Sequence, residues 1–229
     1  DGKEEDTITP LAGIKAKVSA QTKVGYAKGC DVKDDSTAGF QEAVNLAKQS
    51  DLAILFVGEI AEMVGEPASR SSLDLPGRQL ELVQAIQATG KPTVVVLVNG
   101  RPLSIGWIVN NVPAILESWM GGSQSGNAIA DILLGDVNPG AKLPVTFPRS
   151  VGQVPMYYNY MNTGGPPEAE NRYTSKYFDM PWTARRCCAD DFCGFTDEQN
   201  RNIRLFSEVD GLLETSGRVV FDITAFRVT

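Results

Sequence analysis

Two apolar runs, Leu52–Val57 and Thr93–Val98, constrain what this sequence can fold into more than any other feature. A strand with one wet face alternates apolar and polar residues. A strand of unbroken apolar residues is covered on both faces, which is the situation of the central strands of a parallel sheet. Between the two runs, Leu80, Val83 and Ile86 recur at helical spacing, and Gly90-Lys91-Pro92 ends that helix.

The same alternation extends in both directions. Lys23–Ala27 reads as a short strand. Ser36 is a candidate N-cap, with Phe40, Ala43, Val44 and Ala47 at helical spacing behind it. Ala114–Ser118 reads as a third buried strand, Gly126–Leu134 as a helix stopped by Gly135, and Leu143–Phe147 as a last short strand between prolines. Strands alternating with helices imply right-handed crossovers. The expected fold class is α/β: a mainly parallel sheet of about five or six strands over residues 22–150, flanked by helices as a three-layer sandwich. Residues 1–21 are polar and Lys-rich and read as a leading segment. Residues 153–167, rich in Tyr, Asn, Gly and Pro, read as a surface excursion. Residues 181–229 read as an irregular C-terminal extension, except that Gly217–Thr229 alternates like a strand at Val219, Phe221 and Ile223.

Composition narrows the chemistry. The net charge of −7 argues against nucleic acid or an anionic membrane as partner, since both reward clustered Lys and Arg. No apolar stretch approaches the roughly 20 residues of a membrane helix. The sequence has no histidine, so Ser-His-Asp and Cys-His nucleophiles and His-dependent zinc sites are excluded within this chain. Cys30, Cys187, Cys188 and Cys193 lack C-x-x-C spacing and read as thiols rather than metal ligands. Neither a metal nor another cofactor is expected. Acid–base work is left to carboxylates, Tyr, Lys or Cys.

In a sheet of this class, ligands sit beyond the carboxyl ends of the strands. Three segments leave those ends: 58–76, 99–107 and 119–126. The first carries Glu59, Glu62, Glu66 and Arg70. Glycoside hydrolysis needs two carboxyl groups flanking the scissile bond, one of which protonates the leaving oxygen, although exposed loop glutamates are more often idle. Asn99-Gly100 is a turn signal, and Arg101 beside it is a candidate ligand contact or salt-bridge partner. The glycine-rich turn 119–126 lacks the Lys and Ser/Thr of a phosphate loop, because Asn127 and Ala128 stand there. Its glycines read as packing the following helix on its strand.

The order of several motifs carries a resemblance. Ser71-Ser72-Leu73-Asp74-Leu75-Pro76-Gly77 precedes Ala88-Thr89-Gly90-Lys91-Pro92 and Val98-Asn99-Gly100-Arg101-Pro102-Leu103. Glu117-Ser118-Trp119, Gly126-Asn127-Ala128-Ile129-Ala130-Asp131 and Gly135-Asp136-Val137-Asn138-Pro139-Gly140 follow, and Tyr173-Thr174-Ser175-Lys176-Tyr177 extends the series. Residues 22–180 thereby resemble the second, α/β sandwich domain of family 3 glycoside hydrolases, especially bacterial periplasmic β-glucosidases.

That resemblance implies a retaining β-glycosidase acting on a β-linked glucoside or xyloside, in the periplasm or secreted. A separate (β/α)₈ barrel domain would carry the aspartate nucleophile, and this domain would lend the acid/base glutamate. Such a barrel alone needs about 250 residues, and nothing before residue 22 resembles it, so the isolated chain is not expected to turn over substrate. Glu66 is the acid/base candidate because Gly65-Glu66-Pro67-Ala68-Ser69-Arg70 matches the family loop best; Glu59 is the alternative. Ser69 and Arg70 would order the loop or contact sugar. A non-catalytic carbohydrate-binding or assembly module is the competing expectation. The chain departs from the family in its turn Gly122-Ser123-Gln124-Ser125-Gly126, where an acidic residue is usual, and again after residue 180. Residues 181–229 are accordingly read as divergent or foreign.

Overall fold

The computed structural model describes residues 4–156, isolated positions between 168 and 179, and residues 218–223. One parallel sheet organises them. Its strands are β1 (Lys23–Ala27), β2 (Leu52–Gly58), β3 (Thr93–Val98), β4 (Ala114–Glu117) and β5 (Arg218–Ile223), in the spatial order β1-β5-β2-β3-β4. The helices are α1 (Pro10–Lys17), α2 (Phe40–Lys48), α3 (Gln79–Gln87), α4 (Gly106–Asn111) and α5 (Ser125–Leu133).

All residues of β2 and β3 are buried, and the pleat sorts them into two cores. Ala53, Leu55, Val57, Val95 and Leu97 meet Ala43 and Ala47 of α2, Leu82, Val83 and Ile86 of α3, and Ile108 of α4. Leu52, Ile54, Phe56, Val94, Val96 and Val98 meet Ile14 of α1 and Ile129, Ala130 and Leu133 of α5. Each large side chain sealed this way contributes about 1.5–3 kcal/mol. Helices on both faces of a parallel sheet make the α/β sandwich, and the unbroken apolar character of the central strands follows from it.

The departures from the sequence-based expectations have physical reasons. Helix α1 stands where a leading segment was expected. It begins at Pro10 behind Thr9, whose hydroxyl accepts the Ala12 N–H at 3.2 Å. With only Pro10, Gly13 and Ile14 buried, it leaves almost no periodic trace. It lies on α5 by backbone contact. A Cβ on Gly13 would come within 2.4 Å of the Gly126 carbonyl oxygen, and one on Gly126 within 2.3 Å of the Ile8 and Thr9 oxygens. The glycine of the turn therefore packs α5 against α1 and its lead-in, not against a strand. The same lead-in caps α5: Gly126 N–H donates to the Ile8 carbonyl at 3.1 Å, so the chain itself occupies the amide a phosphate would need.

Ser36 is not the N-cap of α2. Gly39 holds that position, and the Ser36 hydroxyl accepts the Ala38 N–H in the preceding turn. Residues 143–147 form no strand; Pro144 interrupts any ladder because it has no N–H. They instead lay Phe147 into the core, its ring 5.8 Å from that of Trp119. Residues 22–150 thus supply four strands, and the fifth comes from 218–223, within the segment whose alternation suggested a strand. Its backbone pairs with β1 on one side and β2 on the other. Most of 157–217, including Cys187, Cys188, Cys193 and the greater part of the expected surface excursion, lies outside the described residues.

Candidate functional site

The carboxyl ends of β2, β3 and β4 bring three segments together. Strand β2 stops at Gly58, whose φ of 146° only glycine adopts readily. A Cβ there would lie 1.9 Å from the Val98 carbonyl oxygen. Gln79, fully buried at the start of α3, fixes this point from above. Its Oε1 accepts the Gly58 N–H at 2.8 Å, and its Nε2 donates to the Gly58 oxygen at 2.8 Å and to the Pro76 oxygen at 2.9 Å. The loop that leaves Gly58 and returns through Pro76 is therefore pinned at its two ends by one side chain.

Glu59 follows immediately and has no solvent exposure. Arg70 Nη1 donates to its Oε1 at 2.8 Å, and Arg101 Nε lies 3.1 Å from the same oxygen. The Gly100 N–H points to Oε2 at 3.3 Å. A carboxylate sealed from water is tolerable only with such opposite charge and donors around it. Both arginines also grip backbone. Arg70 Nη2 donates to the Asp74 carbonyl at 2.9 Å. Arg101 Nη2 donates to the Ala68 carbonyl at 2.9 Å and to the Met63 carbonyl.

Glu66 sits between those last two acceptors, exposed, with exposed Gly65 (φ 117°) and Pro67 beside it. Ser69 is exposed as well. Of the residues expected at the site, Glu66 and Ser69 lie on the open side of the loop. Glu59 and Arg70 are joined beneath it, Arg70 with only 19% of its side chain exposed. The loop rests on the turn after β3 through Val64 and Gly100: a Cβ on Gly100 would fall 2.2 Å from Val64 Cγ1. The Asn-Gly pair read as a turn signal thus serves close approach.

Sequence reasoning passed over Glu117 and Gln79. Glu117, at the end of β4, accepts the Trp119 N–H at 2.9 Å through Oε1, and Asn99 Nδ2 lies 3.5 Å from its Oε2. The same Asn99 Nδ2 donates to the Arg101 carbonyl at 2.8 Å. Burial pushes the Glu117 carboxyl up to about 7, against the weaker opposing pull of Trp119 and Asn99. The bond to Trp119 also holds that residue in the left-handed region, at φ 53°. A strand-end glutamate inside a core motif gives no sequence signal of its own; only the neighbours that desolvate it do. Among the described residues no cluster of three or more His, Cys, Asp or Glu is placed to hold a metal ion, and no helix is long and apolar enough to cross a membrane.

Comparison with known proteins agrees with this architecture. Residues 2–179 match the glycosyl hydrolase family 3 C-terminal domain. A β-xylosidase of Formosa agariphila is 53% identical over 151 residues, covering 66% of this chain and 21% of the relative. A periplasmic β-glucosidase of Salmonella typhimurium is 44% identical over 200 residues, covering 78% and 26%. The crystal structure of a β-glucosidase from Listeria innocua in complex with isofagomine superposes with a TM-score of 0.69 at 34% identity, over 79% of this chain and 25% of that one. The chain therefore spans about a quarter of the length of these relatives.

Proposed function

The chain belongs to glycosyl hydrolase family 3, as its C-terminal α/β domain, and on that premise we propose that it lends the acid/base carboxylate, Glu66, to a retaining β-glycosidase. The nucleophile is an aspartate on a barrel domain outside this chain. The substrate is a β-linked glucoside or xyloside, since the relatives are named β-glucosidase and β-xylosidase. A location in the periplasm or outside the cell is part of this reading, supported by the name of the Salmonella typhimurium relative, a periplasmic β-glucosidase.

One observation carries the assignment of the carboxylate. The loop offers Glu66 to solvent at its tip and seals Glu59 against two guanidinium groups. A carboxylate closed in by Arg70 and Arg101 has no open path to a glycosidic oxygen, whereas Glu66 has one. Glu66 gives its proton to the leaving oxygen as the glycosidic C–O bond breaks and the barrel aspartate bonds to the anomeric carbon. The resulting Glu66 carboxylate then takes a proton from water, whose oxygen attacks the anomeric carbon and frees the aspartate. A proton donor working near neutral pH is partly desolvated, and the barrel supplies that cover. In this reading Ser69, exposed three residues further on, contacts sugar, and Arg70 orders the loop.

The test is Glu66→Gln in a barrel-containing enzyme. Loss on poor leaving groups should be about 10²–10⁴-fold, with much less loss on activated aryl glycosides, and azide should restore turnover of the latter. Equal loss on both substrate types removes Glu66 from the role. Full activity of Glu66→Gln together with sugar binding by the chain alone favours a carbohydrate-binding or assembly module.

A further inference from the structure

We infer that Arg101 is a positioning residue that holds the Glu66 loop ready before any other domain docks; the catalytic half of this inference rests on the proposed role of Glu66. Arg101 lies on the turn after β3, not on the loop, and its Nη2 gathers two loop carbonyls onto one nitrogen while Nε faces Glu59. It reaches the carbonyl of Met63, three residues before Glu66, and that of Ala68, two residues after it. Grasping the chain on both sides of a residue fixes where its Cα stands, which a single contact would not do.

Three further features aim the guanidinium. Glu59, with no solvent exposure, lies 3.1 Å from Nε and neutralises the charge, while Arg70 holds the same Glu59 oxygen at 2.8 Å. The Arg101 carbonyl accepts from Asn99 Nδ2 at 2.8 Å, tying its backbone to the fully buried Asn99. Val64 packs on the Cα of Gly100, so the loop cannot rise from the turn without losing that contact. Every member of this set belongs to the described chain itself, so the loop needs no barrel to take its shape. A guanidinium is suited to the task because its planar fork presents several donors at fixed angles, whereas an ammonium is a point charge. A misplacement of about 1 Å at a reacting group costs on the order of 10²-fold in rate, so a device of this kind acts on turnover.

The decisive variant is Arg101→Lys, which keeps a positive charge opposite Glu59 but lacks the fork; Arg101→Ala leaves Arg70 as the one cation on Glu59 among the described residues and serves as the harsher comparison. Amide hydrogen exchange on the 229-residue chain reads the clamp directly. Exchange over residues 61–70 should quicken at least tenfold in Arg101→Lys, while the amides of β2 and β3 keep their wild-type rates. In a barrel-containing enzyme the same variant should lose kcat on poor leaving groups several-fold more than on activated aryl glycosides, with KM nearly unchanged. Unchanged exchange in the loop overturns the inference. So does quickened exchange with equal loss on all leaving groups, provided Glu66→Gln shows the leaving-group split. If Glu66→Gln itself shows no split, the role of Glu66 fails, and the exchange experiment alone decides whether Arg101 anchors the loop.

Discussion

Glu59 accepts a hydrogen bond from Arg70 at 2.8 Å across eleven residues of chain, with its own side chain wholly removed from water. The pair closes the base of the loop, and Arg101 makes it a triad. Removing one partner from a buried charge network typically costs about 3–5 kcal/mol, because the remaining charges stay buried without compensation. Glu59→Ala should therefore lower the unfolding free energy by about that amount, and Glu59→Gln by somewhat less, since an amide oxygen still accepts one bond. Urea denaturation of the chain measures both. A loss under about 1 kcal/mol for Glu59→Ala is incompatible with the clamp as described.

Glu117 makes stability depend on pH in an unusual direction for a carboxylate. Its carboxyl titrates near 7 when folded, against an ordinary value of 4.5. The folded state therefore binds more protons than the unfolded state between these values, and stability falls as pH rises through that window. The full penalty, present above about pH 7, is at most on the order of 3 kcal/mol. Glu117→Gln should abolish this part of the slope and stabilise the chain at pH 8 but hardly at pH 4.5. Urea midpoints across that range check it; parallel curves for the two proteins would contradict the assignment.

Gln79 makes three buried hydrogen bonds that pin Gly58 and Pro76. Gln79→Leu keeps the approximate volume but strands the Gly58 N–H and the carbonyls of Gly58 and Pro76. Buried groups left unsatisfied cost about 1–3 kcal/mol each, so a loss of at least about 3 kcal/mol is expected, with faster exchange at the start of the loop. A neutral Gln79→Leu would show that water replaces the amide.

The crossing of α1 and α5 has no room for a methyl group. Gly126→Ala would press a Cβ to 2.3 Å from two backbone oxygens. Overpacking of this kind typically costs about 1–3 kcal/mol, and backbone has fewer ways to yield than a flexible side chain. Thermal denaturation should show the loss, accompanied by faster exchange in residues 8–17. Gly122→Ala, four residues earlier and in open space, should change little.

The strand-and-helix alternation was legible because burial on both faces writes apolar runs such as Leu52–Val57 directly into the chain. Helix α1 was not legible, since glycine-to-glycine backbone contact needs no apolar stripe. Nor was the pairing of β5 between β1 and β2, because ladder hydrogen bonds are made by backbone and carry no side-chain signature. At the candidate site, the loop and its carboxylates stood out, but not which carboxylate is sealed. Burial of Glu59 is decided by Arg70 and Arg101, which reach it from eleven residues downstream and from the end of another strand. Glu117 stayed hidden for the same reason.

The two carbonyls that Arg101 grasps, on Met63 and Ala68, belong to the main chain. Every residue type offers the same oxygen, so the one nitrogen that holds both is indifferent to which side chains stand at the tip between them. The tip from Gly65 to Pro67 is in effect an exchangeable cassette: its letters can be rewritten while its length and its left-handed glycine are kept, and the frame beneath will present whatever is written there at the same height above the sheet.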